Sequence, residues 1–364
     1  MFAAPLAYSP DLETVEADEA ETQAKLIEAF RSIIDTTNAD YGHAYRGVHA
    51  KSHALLDGEL EVLPGLPPEL AQGVFADART YPVALRISTN AGDPLPDSIS
   101  LQRGLAIKLI GVEGDRLAGS EGDTTQDFVL ANGVAFPVPG PKPFLMNLKM
   151  LAATTDRAEG GKVALSAVFR ATEKALEAVG GESALLKQLG GYPQTHPLGE
   201  RYFSQVPIRY GDHVAKIAVV PLSANFKALE GTEIDIAGRE NALREELGAA
   251  LADQGGEFEL RVQLRRDAET NPVEDASVAW PEDDNPYIAV AVIRIAPQAA
   301  WSWERAAVLD DRTSFSPWHG IEAHRPLGAL MRARKPAYAA SVAHRGRLNG
   351  CPIHEPRQAV DLPA

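Results

Sequence analysis

Apolar residues recur along this chain with two different periods, and the switches between them divide it into helices and strands. From Glu21 to Asn38, Leu26, Ile27, Phe30, Ile33 and Ile34 fall at helical spacing, which predicts an amphipathic helix laid over a buried surface. Alternating or β-rich runs follow at Glu59–Leu63, Tyr81–Thr89, Gly104–Val112 and Gln126–Ala131, separated by Gly, Pro and Asp clusters. Helical patterning returns over Pro143–Ala153 and Lys162–Ala178. A second set of strands is predicted at Arg201–Tyr210, Val214–Leu222, Phe258–Arg265 and Tyr287–Ile295, with Tyr210-Gly211-Asp212 as a hairpin turn. A last helix carries Arg334 to Arg345.

About eight antiparallel strands are enough to close a barrel, so the pattern predicts an α+β protein: a β-barrel flanked by helices. There is no internal repeat, no low-complexity tract and no linker that forces a second domain, so residues 1–364 are expected to form one domain. The Gly-rich, acidic stretch Gly114 to Thr125 is expected to be a mobile surface loop.

Composition narrows the function classes. Of 364 residues, 45% are hydrophobic and 23% charged, which suits a chain that buries a large core. The formal net charge of -15 opposes nucleic-acid partners, and no dense block of Lys and Arg offsets it. A single cysteine, Cys351, excludes an intrachain disulfide, a Cys-based zinc cluster and covalent haem attachment through two thiols. No stretch reaches the ~20 apolar residues of a membrane span, and the first residues lack a basic n-region, so a cytoplasmic protein is expected.

The chemistry concentrates near the C-terminus. Arg334, Tyr338 and Arg345 stand at i, i+4 and i+11 and share one helix face. A phenol titrates near ~10 in water and becomes a phenolate at neutral pH only beside a cation or a metal ion. Arg334, one turn before Tyr338, is placed to donate to the phenolic oxygen. Arg345, two turns beyond, can reach a second anionic group. A tyrosinate with outlying carboxylates suits haem. A proton carrier for its other face is offered by His49 in Arg46-Gly47-Val48-His49-Ala50-Lys51. Arg86 and Ser88, in Leu85-Arg86-Ile87-Ser88-Thr89, fall on one strand face by the period of two.

Each of these residues has a blander reading. A Tyr in an amphipathic helix is usually a half-buried packing residue. His49 and His53 would be a metal pair if the segment were helical, but the β signals around Val48 oppose that. His319 and His324 are read as organising the lead into the last helix, Cys351 as structural, and Arg46 and Arg86 in isolation as surface ion-pair partners.

Four islands taken together resemble the haem catalase superfamily, specifically its small catalase-related peroxidase branch, which includes allene oxide synthase. They are Arg46 to Lys51, Leu85 to Thr89, Arg103-Gly104-Leu105-Ala106-Ile107-Lys108, and Arg334 to Tyr338 with Arg345, in the family's order along the chain. The resemblance implies an antiparallel eight-stranded catalase-like barrel with a C-terminal helix carrying an axial Tyr338, and haem b as cofactor. It implies His49 as the distal base, Ser88 as its hydrogen-bond partner, Arg334 as donor to the phenolate, and Arg46, Arg86 and Arg345 as propionate partners. Asn132 is similar to the distal asparagine, and Phe136 and Phe144 to apolar pocket residues.

The departures are specific. Asn132 falls one place after the asparagine of the large catalases. Lys335-Pro336-Ala337 replaces an aromatic-containing stretch, and Pro336 is expected at a kink. The chain is also shorter than a large catalase. The implied function is reduction of hydrogen peroxide or organic hydroperoxides through a ferryl haem, using a small-molecule electron donor, with some catalase activity. Rearrangement of fatty-acid hydroperoxides and non-catalytic haem binding are the alternatives. Val48, where the allene oxide synthases place Thr, favours reduction. A homodimer is the expected partner state.

Overall fold

Several strands are buried at odd and even positions alike, polar residues included, the mark of a sheet covered on both faces. The computed structural model describes residues 2–154 and 192–363, so the predicted helix Lys162–Ala178 lies outside the described residues. The strands are β1 (Ser52–Val62), β2 (Thr80–Thr89), β3 (Arg103–Ile110), β4 (Thr125–Ala131), β5 (Tyr202–Phe203), β6 (Ile208–Tyr210), β7 (His213–Pro221), β8 (Gly256–Leu264) and β9 (Ile288–Ile295). They lie in the order β5-β4-β3-β2-β1-β9-β8-β7-β6, and β5 also pairs with β7. That last pairing closes an antiparallel ring of eight strands and leaves β6 as a hairpin on the edge of β7.

The predicted strand Arg201–Tyr210 is therefore two strands. The break falls at Gln205, which adopts φ 62, and Pro207, which has no N–H to give to a ladder. The hairpin turns at Gly211, φ 60, where an added Cβ would stand 1.8 Å from Gln72 Oε1. The predicted strand Glu59–Leu63 covers only the far part of β1, which begins at Ser52 with a bulge between Ser52 and Ala54.

Alternation sorts the two faces. Val83, Leu85 and Ile87 of β2, Leu105, Ile107 and Leu109 of β3, and Phe128 and Leu130 of β4 point into the barrel, where they join Phe75, Tyr210 and Phe258 in a filled core. Arg86 and Ser88, Gly104 and Ala106, and Val129 and Ala131 consequently face outward. Three helices cover this outer face: α1 (Glu19–Tyr41), α2 (Pro141–Thr154) and, beyond α3 (Ala242–Ala252), α4 (Ala329–Leu348). Leu26, Ala29, Phe30 and Ile33 of α1 pack with Leu145 and Leu148 of α2 and with Ala333 and Ala337 of α4. Each of the buried Leu, Ile and Phe side chains in this set contributes roughly 1.5–3 kcal/mol. α1 ends where Gly42, φ 66, donates its N–H to Asn38 O at 3.0 Å.

α4 holds Pro336 in its interior and is helical on both sides of it. One expectation is corrected. The Gly114–Thr125 loop is anchored rather than free: Leu117 N donates to Gly320 O at 3.0 Å, Arg116 bonds Ser120 and Thr125, and Leu117 and Ser120 are buried. Among the described residues no helix is long and apolar enough to cross a membrane.

Candidate active site

Between the outward face of β2–β4 and the helices runs a slot of two connected compartments, with about 720 and 800 Å³ of empty space. Phe30, Val48, His49, Val129, Leu130, Ala337 and Tyr338 line both. From α4 the residues Arg334, Ala337, Tyr338, Ser341, Val342 and Arg345 meet it, a stripe at i, i+3, i+4, i+7, i+8 and i+11. Tyr338 thus enters from the helix wall. Arg334 Nη2 donates to its phenolic oxygen at 2.7 Å, and the unbroken helix keeps that i, i+4 geometry despite Pro336.

His49 enters from the barrel wall, on the turn before β1. Its backbone adopts φ 55, a left-handed conformation that costs a non-glycine residue roughly 1–2 kcal/mol. Its Nδ1 lies 3.1 Å from Ser88 Oγ, which the outward alternation of β2 delivers. Burial, together with Arg86, Arg334 and Arg46 nearby, lowers the imidazole from 6.5 to about 3, so it is neutral at physiological pH. The imidazole fits because position 104 is glycine: a Cβ there would stand 2.6 Å from His49 Cε1. A glycine inside a strand signals close approach of another group.

At one edge of the slot Arg46, Arg86 and Arg345 converge on a residue that spacing did not reveal, Asp310. Arg46 Nη1 and Arg86 Nε donate to its Oδ1 at 2.7 and 2.6 Å, Ser52 Oγ donates to Oδ2 at 2.6 Å, and Arg345 Nη1 donates to its main-chain oxygen at 3.1 Å. Burial would raise the Asp310 carboxyl, but Arg86, Arg46 and the Ser52 hydroxyl hold it at about 2. Asp310 rides on a π-helical turn, Ala307–Asp311, an irregularity with no signature in apolar periodicity.

Arg46 and Arg86 thus share one carboxylate oxygen, and Arg345 reaches only a main-chain oxygen. The Asp311 carboxylate beside them is bonded to His43, so three guanidiniums face two carboxylates and an excess of positive charge stays buried. Among the described residues Arg345 Nε has no hydrogen-bond partner, and burial pushes Arg345 down to about 10. A cofactor carrying carboxylates would supply negative charge where this edge lacks it, and a phenol already bonded to a guanidinium suits a ferric ion. The residues present therefore fit haem.

Phe136 and Phe144 meet edge-to-face at 5.3 Å and line the second compartment. Asn132 does not reach the slot. Its Oδ1 accepts from Arg103 N at 2.9 Å and its Nδ2 donates to Glu200 at 2.9 Å, while Ala131 takes the slot-facing position. The one-residue offset seen in the sequence is a change of face. The amides that do line the slot are Asn90, Gln102 and Gln205, and Gln205 Nε2 is spent on the carbonyls of Gly133 and Ala135.

The other candidates lie elsewhere. His53 is buried with Nε2 2.5 Å from Thr89 Oγ1, in no metal pair with His49. His324 sits among Phe75, Phe128 and Tyr210, its Nε2 accepting from Val74 N at 3.0 Å. His319 joins Asp127 and Glu355, whose potential ligand atoms lie within 4.8 Å of one another. Lys108 Nζ, 2.7 and 2.9 Å from Asp127 and 2.5 Å from Glu355, already places a cation there. Cys351 is remote from the slot, its Sγ 3.9 Å from Pro352 O.

No family model matches the sequence, and no curated protein matches it. Solved structures do match. A bacterial catalase superposes with a TM-score of 0.59 at 18% identity, covering 89% of this chain and 62% of its own. Catalase A from Saccharomyces cerevisiae gives 0.57 at 16%, covering 85% and 63%, and a fungal catalase gives 0.57 at 16%, covering 87% and 64%. The chain therefore has the catalase fold and spans less than two thirds of the length of these catalases.

Proposed function

We propose that this protein binds haem b in the slot and reduces hydrogen peroxide or organic hydroperoxides with electrons from a small-molecule donor, with a lesser catalase activity. The reading rests on one observation above the rest: a phenol bonded to a guanidinium and a neutral imidazole bonded to a serine enter the same slot from its two walls, beside a buried arginine cluster with an excess of positive charge. Tyr338 would hold the iron, and Arg46, Arg86 and Arg345 the two propionates. When bound, haem supplies a ferric centre that accepts the two oxidising equivalents of the peroxide.

The chain's own residues do the rest. Arg334 stabilises the deprotonated Tyr338 oxygen. With Nδ1–H donating to Ser88 Oγ, His49 keeps the lone pair of Nε2 free. That atom takes the proton from the inner oxygen of the peroxide and returns it to the outer oxygen as water or an alcohol departs. Arg86 Nη2 donates to His49 O at 2.8 Å and holds the strained turn in place. The apolar side chains of Phe30, Val48 and Val129 exclude water from the proton transfer.

Replacing His49 with Ala is expected to lower peroxide reduction by roughly 10²–10⁴-fold while the haem spectrum persists. Unchanged turnover in His49→Ala would leave a haem carrier. Product analysis of a fatty-acid hydroperoxide without donor separates reduction from rearrangement, and rearranged product without reductant would contradict the proposal.

A further inference from the structure

The outer side of the arginine cluster opens into a second cavity, with about 1120 Å³ of empty space, reached from solvent and not part of the slot. Its wall includes Tyr41, Tyr45, Trp301 and Trp303, and Trp303 is 71% exposed. Trp301 and Trp303 meet edge-to-face at 5.0 Å, and the Arg244 guanidinium lies 3.6 Å from the Trp301 ring centroid. Arg244 makes no ion pair among the described residues and spends its Nε on Ser52 O at 2.8 Å. Aromatic walls with an unpaired guanidinium are the chemistry that holds a planar aromatic anion.

A hydrogen-bonded path connects this cavity to the slot. Trp301 Nε1 donates to Ser52 Oγ at 2.9 Å, Ser52 Oγ donates to Asp310 Oδ2 at 2.6 Å, and Asp310 Oδ1 is held by Arg46 and Arg86. His43, bonded through Nε2 to Asp311 Oδ1 at 3.0 Å, stands on the same wall as a proton acceptor.

We infer that this cavity binds the reducing substrate, a phenol carrying a carboxylate, with its ring against Trp303 and its carboxylate on Arg244. The inference rests on the proposed peroxide reduction and names its donor. Each phenol gives up one electron, which passes along the Trp301–Ser52–Asp310 path, and one proton, which passes to His43. Two phenols become two phenoxyl radicals while one hydroperoxide, taking up two electrons and two protons, becomes one alcohol and one water.

The test separates binding from turnover. Quenching of tryptophan fluorescence by 4-hydroxybenzoate is titrated in protein without haem, in wild type, Trp303→Ala and Arg244→Gln. Saturable binding is expected, weakened about tenfold or more in each variant. Arg244→Gln should lose the preference for 4-hydroxybenzoate over phenol. In haem-loaded protein, Trp303→Ala should raise KM for 4-hydroxybenzoate and leave both the haem spectrum and donor-free hydrogen peroxide decay unchanged. No saturable binding, or binding indifferent to both substitutions, would overturn the inference while the haem reading stood. Failure to bind haem would show in the spectrum alone and would overturn the functional reading together with the donor role.

Discussion

Single atoms decide whether the slot can work. Gly104 is the clearest case, because the space its missing Cβ leaves is occupied by the His49 imidazole. Gly104→Ala should displace the ring by about 1 Å and lower peroxide reduction by roughly 10²-fold, with haem binding retained. Steady-state rates with hydrogen peroxide check it, and wild-type turnover would show that the imidazole position is not critical. Most residues of the slot were legible in the sequence. Ser88 and Arg86, and Tyr338 and Arg334, sit at spacings that a strand and a helix convert directly into shared faces, whereas His49 reaches the slot from a left-handed turn and was legible only through the motif around it. Asn132 was not legible, because a one-residue slip at a strand end reverses the face while leaving the motif almost intact. Asp310 was not either. It reaches the arginines from a π-turn, and its partners Arg46 and Arg86 are more than 220 residues away in sequence.

Among the elements, the π-turn that carries Asp310 links the fold to the arginine cluster of the slot. Asp310→Asn would leave the buried Arg46 and Arg86 without the carboxylate they share, and breaking such a pair costs about 3–5 kcal/mol. The loss should be largest without haem and smaller with it, since two propionates would restore part of the compensation. Thermal unfolding of both forms measures the difference, and equal destabilisation of the two would argue against carboxylates at that edge. The barrel strands were readable as elements because period-two runs bounded by Gly and Pro are strong local signals. The closure between β5 and β7 was not, since β5 has only two residues and carries no periodicity of its own. Pro336 shows the opposite limit: a residue that usually breaks helices is tolerated in α4, which packs along α1.

Across the whole molecule, the segment from Cys351 to Pro363 runs without regular structure and is fastened through Glu355 to β3, β4 and the loop that brings Ser314 and Phe315 to the slot. His319 shares this fastening, 3.2 Å from Asp127 and 3.1 Å from Glu355. Burial alone would lower the His319 imidazole, but those two carboxylates raise it from 6.5 to about 9. A raised value means that its contribution is complete below 6.5 and is lost as pH climbs through about 9. Trypsin cleavage at Arg357 should therefore accelerate above that pH, and Glu355→Gln should produce the same acceleration at neutral pH. Cleavage indifferent to both would mean that the segment is held by Leu362 and the Arg305 bond to Pro363 O instead.

The central claim is that Tyr338 is an iron ligand in a haem slot, and the absorption spectrum of protein produced with ample haem precursor tests it most directly. Wild type is expected to show a high-spin ferric haem spectrum that changes character or disappears in Tyr338→Phe. An identical haem spectrum in both proteins, or no haem in either, would contradict the account.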